Sequence, residues 1–376
     1  MPPASTPTAM HRTPLARPCA APAVALTLLA ALSLPPAHAA AQAVEPRAPV
    51  ERTELGGRVH IQYNTSSVNA ENGSEFFVRR ARIWAATRVN DWIDGAVLVD
   101  ISGSVASARY AFVRMSLSPA ARLSFGQFKR AFDNFELTSS ADILVVERDG
   151  DVAGAFDCAG VGGVCSYSRF SERLLFSSLD VGVLLQGEVA DGKVGYLITA
   201  TNGPGPNTRE ENDAKSYSGR LEWLPAPGVK VGANLGIHDY PNAVTGHDAY
   251  APATAVDLEI GDFAGGFHLQ AGVMKGENWR NLDADGRESD FLTWQGIVTY
   301  RFPVDGGHRV HAVEPVGRVS WADPDEGAAG DGGMIFTPGV ILHFNGRNKV
   351  AANVDVWRPQ GGGTVWGLKA QTYVYF

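Results

Sequence analysis

The last fourteen residues, 363–376, alternate between apolar and polar side chains. Taken two apart, one face carries Trp366, Leu368, Ala370, Thr372, Val374 and Phe376, and the other carries Gly367, Lys369, Gln371, Tyr373 and Tyr375. Successive side chains of a β-strand point to opposite faces, so this stretch predicts a strand with one nearly apolar face. A final strand that ends in an aromatic residue is typical of an outer-membrane barrel, whose outward face meets lipid. The alternative is the edge strand of a soluble β-sandwich.

The same alternation recurs from residue 55 onward. In residues 229–238, Val, Ala, Leu and Ile face one way and Lys, Gly, Asn and His face the other. About sixteen such segments are separated by turn signals, an even number in the range of bacterial barrels. Tight turns such as Asn90-Asp91 alternate with longer polar loops such as 276–289. The predicted fold class is therefore all-β, a transmembrane antiparallel β-barrel of about sixteen strands.

The first residues predict an export signal. A basic region without acids precedes an apolar run at 23–34 and a small-residue cleavage site at 37–39. We therefore expect residues 1–39 to be a signal peptide, 40–54 to be a flexible lead-in, and 55–376 to be the barrel. No later apolar stretch reaches the roughly eighteen residues that a spanning helix needs. Strands that close on themselves can still span a membrane.

The composition restricts the classes of partner that the chain is expected to bind. The 32 Lys and Arg residues against 40 Asp and Glu make the chain acidic, which argues against a nucleic-acid partner. Beyond the predicted signal peptide the only cysteines are Cys158 and Cys165, which lie close together in a glycine-rich stretch. Because the export route is oxidising, we expect a disulfide in preference to free thiols. Two cysteines alone make a poor zinc site, and we expect no metal and no cofactor.

Catalytic motifs are not visible in the sequence. It holds no G-x-S-x-G, H-E-x-x-H, P-loop or dinucleotide-binding pattern, and no fixed repeat period. Acidic clusters at 283–286 and 323–326 contain calcium-ligand types, but they lack the spacing of a full loop site and are better explained as polar turns. The chain is therefore not expected to be an enzyme.

The longest interval without barrel periodicity is 129–172. Long loops without regular structure are usually functional, and a barrel of this size holds a water-filled channel unless something narrows it. We therefore predict that this interval folds into the lumen and forms the constriction. The alternative is a solvated loop on the outer surface.

A predicted strand at 76–90 carries four arginines, of which Arg80, Arg82 and Arg88 share one face. Arginine on the lipid side costs roughly 2–4 kcal/mol at mid-bilayer, so we place this face in the lumen. A row of guanidinium groups along a pore wall offers anions successive weak sites. Further candidates for this row are Arg109, Arg114, Arg122, Arg220 and Arg318. The alternative is that the arginines pair with acids across the lumen and only keep it hydrated.

Three motifs resemble a known family. They are the run FFVRRAR at 76–82, the run GQFKRAF at 126–132, and the pair Glu147-Arg148. Together they resemble the phosphate-selective porin O and P family. The resemblance implies a sixteen-stranded trimeric barrel with an inward constriction loop and an anion path lined by arginine and lysine.

The residues expected to line the pore and contact anions are Arg79, Arg80, Arg82, Arg88, Lys129 and Arg148. The motif carries over Arg79, Arg80 and Lys129, with Arg148 as a weaker candidate. Simple alternation puts Arg79 and Arg80 on opposite faces of the strand. One of them must therefore lie near the rim, at a β-bulge or at a contact between protomers.

The leading hypothesis is a porin of a Gram-negative outer membrane. It would sit in outer-membrane lipid as a homotrimer and pass small hydrophilic solutes by passive diffusion, either as a general porin or with a preference for anions or phosphate. A second hypothesis is a structural or adhesive barrel with a plugged lumen. A third is an exported soluble β-protein.

Overall fold

The computed structural model describes residues 50–68, 74–155, 158–304 and 309–376. The predicted signal peptide lies outside these residues. Within them, sixteen antiparallel strands pair in chain order, and the first pairs with the last, so that the sheet closes on itself. The strands are β1 (Arg52–Ser66), β2 (Ser74–Arg88), β3 (Ile93–Asp100), β4 (Ser107–Ser118), β5 (Ala121–Lys129), β6 (Leu179–Val189), β7 (Val194–Thr201), β8 (Ser216–Ala226), β9 (Val229–Pro241), β10 (Asp248–Ile260), β11 (Gly266–Leu282), β12 (Glu288–Pro303), β13 (Ala312–Asp323), β14 (Gly333–His343), β15 (Lys349–Pro359) and β16 (Val365–Tyr375).

The two faces of the barrel wall differ in polarity as the alternation predicts. In β16 the side chains of Lys369 and Gln371 are buried, whereas those of Trp366 and Val374 are exposed on the outward face. Closure leaves the sheet without a free edge, so the backbone groups of each strand face those of a neighbouring strand. The predicted sixteen-stranded antiparallel barrel is confirmed. Among the described residues no helix has the length and apolar character to cross a membrane, a finding that says nothing of a β-barrel.

The two rims differ in the length of their connections. On one rim, which we call the short-turn rim, the β6–β7 connection is a tight turn in which Ala190, Asp191 and Gly192 take φ values of 54°, 55° and 79°. Such left-handed residues match the twist of the flanking strands. The opposite rim carries longer connections, and we call it the long-loop rim. The first strand begins at Arg52, three residues before the predicted start of the barrel at 55.

The predicted loop at 276–289 is mostly strand, because β11 continues to Leu282 and β12 begins at Glu288. Polar contacts made inside the barrel hold this extension. The side chain of Asn278 donates to the carbonyl oxygen of Ala159 at 3.2 Å, and Trp279 Nε1 donates to that of Leu174 at 2.9 Å. Alternation within the strand alone does not show these distant partners.

The connection between β5 and β6, residues 130–178, folds into the barrel, and we call it the inward segment. It contains two short helices, α1 (Asn134–Leu137) and α2 (Tyr167–Arg173). Its buried apolar residues are Phe132, Phe135, Leu144, Val145, Tyr167, Phe170, Leu174 and Phe176. They share one core with inward-facing residues of β10–β15 such as Met274 and Phe291. The predicted inward constriction loop is confirmed, although it runs to 178 and not to 172.

Small residues on the barrel wall make room for this core. A Cβ atom added at Gly236 of β9 would lie 3.1 Å from the ring of Phe132. A Cβ atom added at Gly272 of β11 would lie 3.1 Å from the ring of Phe135. One side of the lumen is therefore filled with packed apolar side chains, and the open space lies beside β1–β5.

Candidate functional site

A cavity of about 480 Å³ lies between the inward segment and the wall formed by β1–β5. Its basic residues are Arg58, Arg79, Arg80, Arg82, Arg109, Lys129, Arg148, Arg173 and Arg280. Its acidic residues are Asp100, Glu136, Glu147, Asp149 and Glu172. Nine basic against five acidic residues leave a formal excess of four positive charges. The cavity is thus positive inside a chain with a net charge of −8.

Five of the six predicted pore-lining residues meet at this cavity, namely Arg79, Arg80, Arg82, Lys129 and Arg148. Arg88 does not line it. This residue ends β2 beside the short-turn rim, opposite Arg52 in the register, and its side chain is exposed. It shares the face of Arg80 and Arg82 but lies six or more residues farther along the strand. Face alone therefore does not place a residue at the constriction.

A β-bulge brings Arg79 and Arg80 to the same place. In the β1–β2 register, His60 lies opposite Arg80 and Ile61 lies opposite Val78, so Arg79 has no partner of its own. An extra residue in one strand changes the face that its side chain takes and increases the local twist. Both arginines consequently reach the same carboxylate of the inward segment, that of Glu147.

Glu147 is held by four N–H donors. Arg80 donates from Nη1 to Oε1 at 2.5 Å and from Nη2 to Oε2 at 2.7 Å, and Arg79 donates from Nη2 to Oε2 at 2.8 Å. Gln371 adds a long contact from Nε2 to Oε1 at 3.5 Å. Burial opposes ionisation of Glu147, but the charges of Arg80 and Arg79 outweigh it and hold its pKa below the usual value. The carboxylate is therefore ionised and bound as an anion.

Two other arginines meet on one hydroxyl group. Arg58 donates from Nη2 to Ser140 Oγ at 2.8 Å, and Arg82 donates from Nη1 to the same oxygen at 2.9 Å. Arg82 also donates from Nε to Asp100 at 2.6 Å, whereas no carboxylate of the described residues forms an ion pair with Arg58. The sequence analysis did not include Arg58. The available signal was the polar alternation of Arg58, His60 and Gln62 in the opening strand.

Lys129 and Arg148 hold the start of the inward segment. Lys129 donates to the carbonyl oxygen of Thr138 at 3.4 Å, and Arg148 donates from Nε to that of Phe135 at 2.9 Å. The carboxylate of Glu136 lies 3.7 Å from Arg148 Nε. Burial raises the pKa of Glu136 to about 7, despite this neighbouring charge. Its charge therefore changes near neutral pH.

A second cavity, of about 230 Å³, lies toward the short-turn rim. Its charged residues are Asp142, Arg301, Glu314, Arg347 and Lys349, and His343 lies among them. Residues 139–147 contribute side chains to both cavities and so lie between them. Arg347 Nη2 donates to both oxygens of Asp142 at 2.6 and 2.7 Å, and Lys349 donates to the carbonyl oxygen of Ile143 at 3.2 Å. This stretch therefore separates the two cavities.

The other candidate arginines have different roles. The five further candidates from the sequence are Arg109, Arg114, Arg122, Arg220 and Arg318. Of these, only Arg109 lines the larger cavity. Arg220 and Arg318 are buried, at 2.5 Å from Asp257 and 2.8 Å from Asp355. Arg114 and Arg122 form ion pairs with Asp94 and Glu188. The alternative of paired arginines therefore describes much of the wall. Within the part of the chain that the structure describes, five basic residues of the larger cavity form no ion pair, namely Arg58, Arg109, Lys129, Arg173 and Arg280.

Cys158 and Cys165 form a disulfide within the inward segment, with Cα atoms 5.1 Å apart. Both side chains are buried. Among residues 50–68, 74–155, 158–304 and 309–376, no group of three or more His, Cys, Asp or Glu side chains is placed to hold a metal ion. The acidic cluster at 283–286 serves the turn itself, since Asp283 accepts the backbone N–H groups of Asp285 and Arg287.

Comparisons with known proteins agree with this architecture. Residues 53–251 match the family described as phosphate-selective porin O and P. The outer membrane channel DcaP of Acinetobacter baumannii is 12% identical, with a TM-score of 0.59, over 88% of this chain and 99% of its own. An anion-selective porin from Comamonas acidovorans is 12% identical, with a TM-score of 0.60, over 86% and 99%. The trimer form of OmpT from Vibrio cholerae is 13% identical, with a TM-score of 0.52, over 86% and 99%. No curated protein matches the sequence.

Proposed function

We propose, since this chain belongs to the phosphate-selective porin O and P family, that it is an outer-membrane porin through which small hydrophilic solutes diffuse passively, with a preference for anions. The observation that carries the anion preference is the larger cavity, where nine basic residues face five acidic ones. A cleft of one charge sign with low-dielectric walls raises the local concentration of the opposite ion. A chain that is acidic overall thus concentrates positive charge where solutes pass.

The proposed path follows the arginines that line the larger cavity. An anion enters from the long-loop rim, where Arg280 and Arg109 border the cavity, and then meets Arg79 and Arg80. It passes residues 139–147 and leaves through the smaller cavity beside Arg347. Conduction requires sites that are favourable enough to enter and weak enough to leave, and a row of separate guanidinium groups provides them. In this path Lys129 and Arg148 shape the field, while Arg88 acts only at the short-turn rim.

Phosphate preference, oligomeric state and export complete the proposal. The family's description and the Arg79–Arg80 pair support phosphate as one of the preferred anions, because guanidinium forks bind oxyanions through paired hydrogen bonds. A homotrimer is supported by the barrel fold shared with the OmpT trimer. We assign residues 1–39 as the signal peptide that directs the chain to a Gram-negative outer membrane. The protein acts as a channel and not as an enzyme.

Ion selectivity in a planar lipid bilayer tests the proposal. The purified protein is inserted, a tenfold KCl gradient is applied, and the reversal potential is read. We expect discrete channels and a potential of the sign that chloride selectivity gives. A reversal potential of the opposite sign would remove the anion preference, and a protein without channel events would remove the channel itself.

A second candidate function is a structural or adhesive barrel that conducts nothing. The specific observation in its favour is the inward segment. Its apolar core packs against β10–β15, and its residues 139–147 lie between the two cavities. It predicts negligible conductance in the same bilayer measurement, for the wild type and for every lumen variant.

A further inference from the structure

The Arg79–Arg80 pair already holds an anion, and that anion is the chain's own. The carboxylate of Glu147 accepts two hydrogen bonds from the Arg80 guanidinium and one from that of Arg79. Two parallel N–H···O bonds are the arrangement in which guanidinium binds any free carboxylate. Glu147 therefore occupies the place that a solute oxyanion would take.

The site is open to solutes from one side. Arg79, Arg80 and Glu147 all line the larger cavity. The side chain of Arg79 is 40% exposed, against 5% for that of Arg80. An anion arriving from the cavity thus meets Arg79 first and can approach the carboxylate without movement of the barrel wall.

Arg80, which holds the carboxylate, and nearby residues of β1 have unused hydrogen-bonding groups. Among the described residues, Arg80 Nε, Arg58 Nε and both ring nitrogens of His60 are buried without a hydrogen-bond partner. Unsatisfied buried polar groups in a folded protein call for a ligand, an ion or water. A free carboxylate has the same two acceptor oxygens as Glu147, but it is not tethered to the inward segment and can enter with water that meets these groups.

The backbone at Glu147 has an unusual conformation. Its φ is 66°, in the left-handed region that residues other than glycine seldom adopt. The inward segment has other anchors beside it, since Val146 N donates to Asn353 at 2.7 Å and Arg318 donates to the carbonyl oxygen of Arg148 at 2.5 Å. The ion pair is therefore not required to hold the segment in the lumen, and strained backbone of this kind gathers at functional positions.

We infer that Glu147 is an internal competing ligand, and that small carboxylates such as acetate bind the channel by replacing it on Arg79 and Arg80. The inference rests on the proposed function. Replacement requires a solute that can accept two parallel N–H bonds, so Glu147 acts as a specificity-determining residue. A halide offers one spherical acceptor and cannot reproduce the bidentate contact. Carboxylates therefore bind the occupied site better than chloride does.

Single-channel conductance against salt concentration tests the inference, with potassium acetate and potassium chloride as the two probes. The test variant is Glu147→Gln, which removes the competing charge. The matched control is Glu172→Gln, which removes one carboxylate charge from the larger cavity and releases no arginine, because Glu172 is exposed and forms no ion pair among the described residues. We expect the half-saturating acetate concentration to fall at least tenfold in Glu147→Gln and less than twofold in the control. The half-saturating chloride concentration should change less than threefold in both.

Equal shifts in Glu147→Gln and Glu172→Gln, or equal shifts for acetate and chloride, would overturn the inference, because both describe a general change of field. A charge-retaining variant, Glu147→Asp, provides a second test in case Glu147→Gln does not assemble into the membrane. Its shorter side chain weakens the bidentate contact, and we expect its half-saturating acetate concentration to fall about threefold, whereas no change would count against the inference. A wild-type channel that prefers cations would instead contradict the proposed function.

Discussion

Removal of a single aromatic ring should release the inward segment without opening the barrel. Phe170 lies in α2, is 0% exposed, and packs with its ring centroid 4.9 Å from that of Phe291 in β12. Truncation of a buried phenylalanine to alanine costs about 3–5 kcal/mol. This cost falls on the packing of the inward segment and not on the strand ladder, because the ring makes no part of the barrel's backbone pairing.

The expected change can be converted into a population. At about 1.4 kcal/mol per tenfold, a loss of 3–5 kcal/mol raises the unpacked fraction of the segment by roughly two to three and a half orders of magnitude. Trypsin then reports on that fraction. Arg173 ends α2 and is followed by the buried Leu174, so the bond between them becomes accessible when the helix unpacks. When opening and closing are fast, the cleavage rate follows the open population.

The assay is limited proteolysis of the detergent-solubilised Phe170→Ala variant, with cleavage after Arg173 followed by mass spectrometry. Unboiled gel mobility monitors the barrel in parallel. Phe336→Ala is the control, because Phe336 faces outward and is 49% exposed. We expect at least a hundredfold faster cleavage in the first variant and little change in the second. Similar rates in the two variants would refute the view that the apolar core anchors the segment.

Three further predictions concern charge, the disulfide and pH. Arg109→Gln should lower the anion-to-cation permeability ratio about twofold or more, and Arg88→Gln, outside the cavity, should change it less, as reversal potentials will show. Replacing Cys158 and Cys165 by serine removes a loop constraint worth about 2–3 kcal/mol, so the noise of the open channel and the protease sensitivity of the segment should rise while the barrel remains folded. Lowering the pH from 8 to 6 adds a proton to Glu136, whose pKa is about 7. The cavity then loses a negative charge, anion preference should increase, and Glu136→Gln should show a smaller increase.

The strands were predictable because lipid and lumen impose a period of two along the whole chain. The alternation in β16 and β9 needs no knowledge of distant residues, since each side chain is sorted by the solvent on its own side of the wall. The inward course of residues 130–178 was predictable from its length. Their precise anchors were not, because they depend on small residues such as Gly236 and Gly272 in strands far along the chain.

The site was predictable by residue type and less so by position. Arg79 and Arg80 form their joint site only because a bulge breaks the alternation between them, and the bulge depends on pairing with β1. Arg88 has the correct face but the wrong height in the barrel. Arg58 lies six residues from Arg52, the other arginine of its strand, and its local sequence does not show which groups it meets across the lumen. The position of the Glu147 carboxylate depends on a left-handed backbone conformation that the residues around it in the sequence do not predict.

Because packed rings occupy one half of the barrel, the passage is a slot and not a round hole. On one flank of a traversing molecule, β1–β5 contribute six basic residues and one acid; on the other, the inward segment contributes two basic residues and four acids. Such a slot orients its cargo: a solute with a charged edge and an uncharged polar edge turns the former toward the barrel wall. Shape and charge distribution, more than diameter, therefore decide which molecules cross quickly.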